Sequence, residues 1–317
     1  MGFRPGLLLL NALCPQYPIP HSLLPVPQSL PAMQSAQFEL HAQIEQRHWW
    51  FVARRQILRA IVGQILPPSA VTTVIDVGCG TGANLAALAD EYHCVGIDTS
   101  AEAVALARQR FPRTQFIVGR APDDLGPLMQ KARLVMMMDV LEHVPDDFAL
   151  FSAVAAAVRP GAFLLVTVPA DQRLWTAHDE TFGHYRRYEP PRLAQIWEDL
   201  PLKPLLLTHF NRRLYPLVRA VRTVNRLRGR DKVAGLAGTD FRIPPKPLNR
   251  WLQRFFAGEA DVLCRALRGE GPGYRKGVSL LALLQRTAGP AEVRGKPVGI
   301  APDYFDPAAS RTPALSA

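Results

Sequence analysis

Hydrophobic and polar positions along this chain change period in a regular alternation. Residues 38–66 mix charged and apolar positions at helical spacing. The β-branched run Val71-Thr72-Thr73-Val74-Ile75-Asp76-Val77 follows and ends in glycines, the pattern of a parallel strand covered on both faces. Residues 84–90 then read as helix, 93–97 as strand, 101–110 as helix and 115–118 as strand. A further strand is predicted over 134–138 and a helix over 148–158, after which Pro160-Gly161 turns the chain into a strand over 163–168. The leucine-rich runs 205–207 and 278–284 make the last two of seven strands. Strands alternating with helices predict an α/β fold, doubly wound, with helices on both faces of one sheet.

Composition narrows the class. With 48% hydrophobic and 20% charged residues, the 317-residue chain is neither disordered nor collagen-like. It has no apolar run of the roughly 18–20 residues that a membrane-crossing helix needs. Cys14, Cys79, Cys94 and Cys264 form no Cys-x-x-Cys pair, which argues against a disulfide framework or a zinc ribbon and fits a reducing, cytoplasmic compartment. The net charge of +10 is concentrated: residues 203–254 hold thirteen Lys and Arg against Asp231 and Asp240, leaving the rest of the chain near neutral.

The ends differ from the middle. Residues 1–32 are apolar and carry Pro5, Pro15, Pro18, Pro20, Pro25, Pro27 and Pro31. Arg4 and Leu7 to Leu10 begin like a signal peptide, but the apolar core is short and no small-x-small cleavage site follows. A disordered leader, or an over-extended start with Met33 as the initiator, is expected there, and a flexible tail over 291–317. The domain proper then covers 33–290, with a helical lid over 38–66, a cofactor-binding core over 71–200 and a basic helical insertion over 208–277.

The chemistry-bearing signal is Asp76-Val77-Gly78-Cys79-Gly80-Thr81-Gly82 at the end of the first strand. Glycines permit positive φ and close ligand approach, and the helix that follows offers free N–H groups. Val95-Gly96-Ile97-Asp98 ends the second strand with an acid able to accept two ribose hydroxyls. Together they indicate a nucleoside cofactor without saying which. Gly78-x-Gly80-x-x-Ala83 also fits the dinucleotide fingerprint, which keeps an NAD(P)-dependent oxidoreductase open.

The ordered succession of that turn, Asp98, Asp139-Val140-Leu141-Glu142-His143 after the fourth strand, and Arg159-Pro160-Gly161-Ala162-Phe163-Leu164 resembles the class I S-adenosylmethionine-dependent methyltransferases. The resemblance spans about residues 38–290. It implies a Rossmann-like sheet of seven strands whose last strand runs antiparallel, with the helical insertion before it. It also implies S-adenosylmethionine as cofactor: Asp76 and the turn Gly78, Cys79, Gly80 and Gly82 facing its methionine part, Asp98 its ribose, and Asp139 and Val140 lining the pocket. The acid that many members carry after strand three is replaced by Gly119-Arg120-Ala121-Pro122, with Asp123 and Asp124 just beyond, and the usual Pro-Gly-Gly turn reads Pro160-Gly161-Ala162.

Two further segments resemble a bacterial subgroup often encoded beside glycan- or lipid-modifying enzymes. The first, from Arg47 to Arg55, contains Trp49, Trp50 and Phe51, which either cover the cofactor with Trp50 and Arg54 or simply pack the helix. The second, Leu174 to Tyr188, holds His178, Asp179, His184, Tyr185, Arg186 and Arg187 in fifteen residues. Methyl transfer to oxygen or nitrogen often uses a base, and His184, His178 and His143 are eligible. Asp179 can orient one of them, and Arg186 and Arg187 can grip a carboxylate or phosphate of the acceptor, unless these groups only anchor a loop. No recognised metal-ligand spacing is present, so no metal is expected.

The insertion carries Leu214, Leu217, Val218, Val221, Val224 and Leu227 at helical spacing among Arg212, Arg213, Arg219, Arg222, Arg226 and Arg228. A second amphipathic segment, 247–267, holds Trp251, Leu252, Phe255 and Phe256. The stripe either docks on the sheet or rests on an anionic membrane at the inner face, within reach of a lipid-linked acceptor. Nucleic acid is disfavoured, since no recognised binding module is present. The expected partner is therefore a small-molecule, glycan-linked or lipid-linked acceptor.

Overall fold

Strands form where the β-branched and leucine-rich runs fall. They are β1 (Ser69–Val77), β2 (Tyr92–Asp98), β3 (Gln115–Val118), β4 (Ala132–Met138), β5 (Phe163–Pro169), β6 (Leu202–Phe210) and β7 (Ser279–Arg286). The longer helices are α1 (Ser35–Arg47) and α2 (Trp49–Ile65) before the sheet, with α3 (Ala83–Ala86), α4 (Ala101–Arg110), α5 (Pro127–Lys131) and α6 (Asp147–Ala157) between the first five strands. After them come α7 (Ala177–Thr181) and α8 (Pro190–Ala194), then α9 (Tyr215–Leu227), α10 (Lys246–Ala257) and α11 (Ala260–Leu267) between β6 and β7. This computed structural model describes residues 35–229 and 243–289. The expected leader at 1–32, the expected tail at 291–317, and Asp231 and Asp240 lie outside the described residues.

The sheet order is β3-β2-β1-β4-β5-β7-β6. β1 to β5 pair in parallel, and β7 runs antiparallel between β5 and β6, so the edge predicted for the last two strands is present. Period-two alternation sends successive strand residues to opposite layers. Met136, Met138, Leu281 and Leu283 join one layer under α2, α10 and α11; Val135, Met137, Ala282 and Leu284 join the other, under α6 and α8.

Local chemistry shifts some predicted boundaries. The helix expected over 38–66 breaks at His48, whose extended backbone (ψ 131°) and ring Nδ1, accepting from Trp50 N at 3.3 Å, cap the start of α2. The helix expected over 84–90 is regular only over Ala83–Ala86, because Leu88 N bonds Leu85 O and tightens the chain into turns. The amphipathic segment 247–267 divides at Gly258-Glu259, where the fully buried Glu259 accepts from Arg213 N at 2.9 Å.

The segment between β6 and β7 is fastened to α1, α2 and the sheet. Asn249 accepts from Trp49 N at 3.0 Å and donates to Arg47 O at 2.8 Å. Phe256, fully buried, stacks on Phe210 of β6 (centroids 6.1 Å) and meets Trp49 edge-on at 6.0 Å. Phe256→Ala should therefore cost about 3–5 kcal/mol, whereas Leu217→Ala, at a 60% exposed position, should stay within about 0.5 kcal/mol. Urea denaturation of the two variants measures the contrast.

Candidate functional site

The carboxyl ends of β1, β2, β4 and β5 meet in one acidic pocket, the place where open α/β sheets bind ligands. β1 delivers Asp76, 1% exposed, directly into the glycine turn. Gly78 has φ +70°, and a Cβ there would lie 2.6 Å from Val140 Cγ2, so only glycine lets the turn and the loop after β4 close together. Gly82 (φ +86°) starts α3 against the Phe116 ring, 2.7 Å from where a Cβ would stand. Asp98 accepts from Gly80 N at 2.8 Å and from Ser100 N at 2.9 Å, which locks its carboxylate beside the turn.

From the other side, helix α2 inserts Arg54. Its guanidinium, 3% exposed, forms an ion pair with Asp139 and donates to Thr167 Oγ1 at 2.5 Å; Thr167 in turn donates to Asp139 Oδ1 at 3.1 Å. Asp139 sits at φ +58°, a conformation the surrounding bonds hold. Trp50 lies over Arg54, 5.0 Å from its ring centroid. Burial pushes the Asp76 carboxyl up to about 8, an effect Arg54 opposes and Asp98 reinforces. Burial also pushes the Cys79 thiol far up, so Cys79 is no nucleophile here.

The second segment builds the rim. α7 opens with a capping box between Thr176 and Asp179. Asp179, fully buried, takes His184 Nδ1 at 3.0 Å, Arg187 Nη2 at 2.7 Å and Thr176 N at 2.8 Å. These partners outweigh burial and hold its carboxyl far below the usual range. With Asp179 ionised, His184 Nδ1 must donate, so the neutral ring carries its lone pair on Nε2. His143 packs edge-on against His184 at 4.6 Å, and His178 lies 6.4 Å from it, so all three candidate imidazoles gather at one place. Desolvation by the surrounding protein lowers His178 to about 4 and His143 to about 3, although His143 still meets solvent, and the neighbouring His184 adds to both shifts.

The two arginines are differently engaged. Arg187 is 9% exposed, bonded to Asp179 and to Ala170 O, so it organises the rim instead of reaching for an acceptor. Arg186 pairs with Asp147 at 3.1 Å and donates to Pro145 O at 2.6 Å, with Tyr185 beside it.

Two groups, Glu45 and Thr167, escaped the sequence reading, and two that it named, Asp124 and Glu142, take positions it did not show. Glu45 of α1 accepts from Thr81 Oγ1 at 2.5 Å and pairs with Arg110, clamping α1 onto the glycine turn. Thr167 bridges Arg54 and Asp139. Asp124 folds back to accept from Arg120 N at 2.7 Å, which returns an acid to the end of β3, where the sequence shows none. Glu142 is fully buried behind the imidazoles. The Glu-His of its motif was visible; its burial was not.

Comparison with known proteins identifies a family and a shared fold. The family described as methyltransferase domain matches residues 48–206. A ubiquinone biosynthesis O-methyltransferase of Vibrio atlanticus is 28% identical over 158 residues, covering 44% of this chain and 67% of the relative. A trans-aconitate 2-methyltransferase of Azoarcus sp. is 29% identical over 158 residues, covering 48% of this chain and 58% of the relative. The solved methyltransferase bound to the Haloferax volcanii Trm112 activator shares the fold, with a TM-score of 0.51 at 21% identity over 83% of this chain and 99% of that one.

The raised Asp76 carboxyl has a consequence for stability. Below about pH 4 folded and unfolded chains both carry the proton; from there to about pH 8 only the folded chain keeps it, so stability falls as pH rises through this window. Asp76→Asn should thus raise the thermal midpoint of the ligand-free protein at pH 8, by the equivalent of about 2–5 kcal/mol, and give no such gain at pH 4. Thermal denaturation at the two pH values checks this.

Proposed function

The chain belongs to the methyltransferase-domain family and is an S-adenosylmethionine-dependent methyltransferase, and we propose that it methylates an oxygen of a lipid- or glycan-linked acceptor presented at an anionic membrane surface. The dinucleotide reading of the glycine turn gives way to the family match. The cofactor supplies a methyl group on a sulfonium, and attack by the acceptor breaks the carbon–sulfur bond.

The pocket's residues fit that cofactor. Asp76 Oδ1 is buried with no hydrogen-bond partner among the described residues, a position an ammonium group would satisfy. We assign to Asp76, Gly78, Cys79, Gly80 and Gly82 the methionine end, and to Asp98 the ribose, through the lone pairs its two backbone bonds leave over. Asp139 and Val140 wall the pocket, Trp50 with Arg54 lids it, and Asp124 is positioned to meet the adenine amino group. On the acceptor side, the cluster of His184, His178 and His143 activates the nucleophile, with Tyr185 and Arg186 at its edge. Ubiquinone O-methyltransferases, by their name, methylate oxygen, and we carry that atom to this chain.

The observation that carries the membrane part is the orientation of α9. Two of its arginines reach toward the rim: Arg222 donates to Leu174 O, and Arg226 to Arg173 O at 3.1 Å, at the start of that segment. Its apolar stripe faces outward, with Leu217, Val221, Val224 and Leu227 between 42% and 82% exposed. Among the described residues, seven of the nine exposed large hydrophobic side chains belong to the insertion, which selects this surface over any other for contact with lipid. An open groove of about 560 Å³ beside α9, lined by Arg212, Arg219 and Lys276, suits anionic headgroups. No helix among the described residues is long and apolar enough to cross a membrane, so the proposed association is peripheral, at the cytoplasmic face.

Calorimetry with S-adenosylhomocysteine and, separately, NADH tests the cofactor site. Binding of the first alone is expected, weakened about 30–100-fold in Asp98→Ala, which loses two hydrogen bonds to a charged acceptor; binding of NADH alone would sink the assignment. His184→Ala should lower kcat by roughly 10²–10⁴-fold while S-adenosylhomocysteine affinity is kept, and equal turnover would remove the imidazoles from the mechanism. In flotation with vesicles, the protein should co-migrate with anionic lipid at low salt, and Val221→Glu with Leu217→Glu should abolish this. Equal recovery with neutral vesicles, or none with either, would discard the membrane surface.

A further inference from the structure

Glu142 stands in a chemically unfinished position. Its side chain is fully buried in the turn after β4, and neither carboxylate oxygen accepts a hydrogen bond among the described residues. A carboxyl sealed in this way is costly unless something pairs with it. The two cations nearest to it in charge, Arg54 and Arg187, are already committed, to Asp139 and to Asp179.

Two imidazoles converge on the same point. Donor atoms of Glu142, His143 and His184 all lie within 4.8 Å of one another. His184 is held from behind by Asp179 on Nδ1, which turns the Nε2 lone pair away from that carboxylate. The backbone carbonyl of Phe182 engages the His143 ring. A carboxylate holding one ring nitrogen, as Asp179 holds His184 Nδ1, is the arrangement that orients a histidine ligand toward a metal with its other nitrogen. Burial grades outward, from Glu142 (0%) through the half-buried His184 to the exposed His143, which leaves an entry path.

We infer that Glu142, His143 and His184 hold a divalent transition-metal ion, zinc by the chemistry of two imidazoles and one carboxylate, with its remaining coordination position open to the acceptor. Ligand atoms on one ion sit about 3–4 Å apart at bonds of about 2.1 Å, so the three groups draw together by roughly an ångström on loading. Asp179 is then a second-layer partner and not a ligand, which is why ligand spacing along the sequence showed no site. The ion's use rests on the methyltransferase reading, with His184 and His143 serving as ligands in place of bases: the acceptor hydroxyl would take the open position, its proton would leave to solvent, and the oxygen so activated would attack the methyl carbon as the carbon–sulfur bond breaks to a neutral thioether. Its existence does not depend on that reading.

The test is zinc titration by calorimetry of chelator-stripped full-length protein without cofactor, with magnesium as the comparison ion. One zinc per chain is expected, with no magnesium uptake at the same concentration. Glu142→Gln and His184→Ala should each weaken zinc binding about 100-fold or more, and cobalt-loaded protein should show a visible absorption band that Glu142→Gln removes. S-adenosylhomocysteine binding by Glu142→Gln confirms that this variant folds. Failure of the wild type to take up one zinc per chain, or wild-type zinc affinity in Glu142→Gln, would overturn the site. If the methyltransferase reading alone were at fault, zinc would bind as expected while S-adenosylhomocysteine would not.

Discussion

One buried guanidinium holds the acidic end of this sheet together. Asp76, Asp98, Asp139 and Glu142 converge at the carboxyl ends of β1, β2 and β4, and carboxylates in such surroundings repel one another and lose hydration. Arg54 meets Asp139 and Thr167 directly and lowers the cost of ionising Asp76 and Glu142. Because Arg54 belongs to α2, the same charge that makes these carboxylates tolerable also fixes α2 against the sheet. Ile57 and Ile61, fully buried on the same helix, supply the apolar part of that attachment.

Asp179 plays the corresponding part at the rim. Its carboxylate gathers His184, Arg187 and the start of α7, so the orientation of the imidazoles follows from one buried anion with a full set of donors. The neighbouring carboxylate, Asp147, holds Arg186, Arg192 and the Tyr188 hydroxyl in the same manner. The arginines of this segment are thus fixed by buried carboxylates, Arg187 more deeply than Arg186.

The insertion inverts the usual amphipathic arrangement. A helix on a globular protein ordinarily buries its apolar stripe, whereas α9 turns Arg222 and Arg226 toward backbone carbonyls of the rim and leaves Leu217, Val221, Val224 and Leu227 outside. Its first turn is pinned by Tyr215, whose hydroxyl donates to Asp171 at 2.6 Å. α10, by contrast, buries Phe256 against β6 and α2. The surface that results is apolar, cationic and joined through Arg222 and Arg226 to the segment carrying His178.

Periodicity by itself determined the seven strands and the doubly wound sheet, because alternation of two-residue and 3.6-residue patterns is a local property of the chain, while the antiparallel edge followed from the family resemblance. The glycine turn and Asp98 were equally legible, since positive φ and a strand-end acid are requirements of position in a short segment. Only the tertiary structure decided which charges meet. Arg54 and Thr167 are separated by 113 residues, and nothing local marks them as partners. Nor could the chain's pattern say that Arg187 turns inward, that Asp124 folds back to β3, that the stripe of α9 faces out, or that Glu142 lies unpartnered behind two histidines. Burial and pairing are properties of packing between distant segments, and a charge's role changes with its dielectric surroundings and its neighbours.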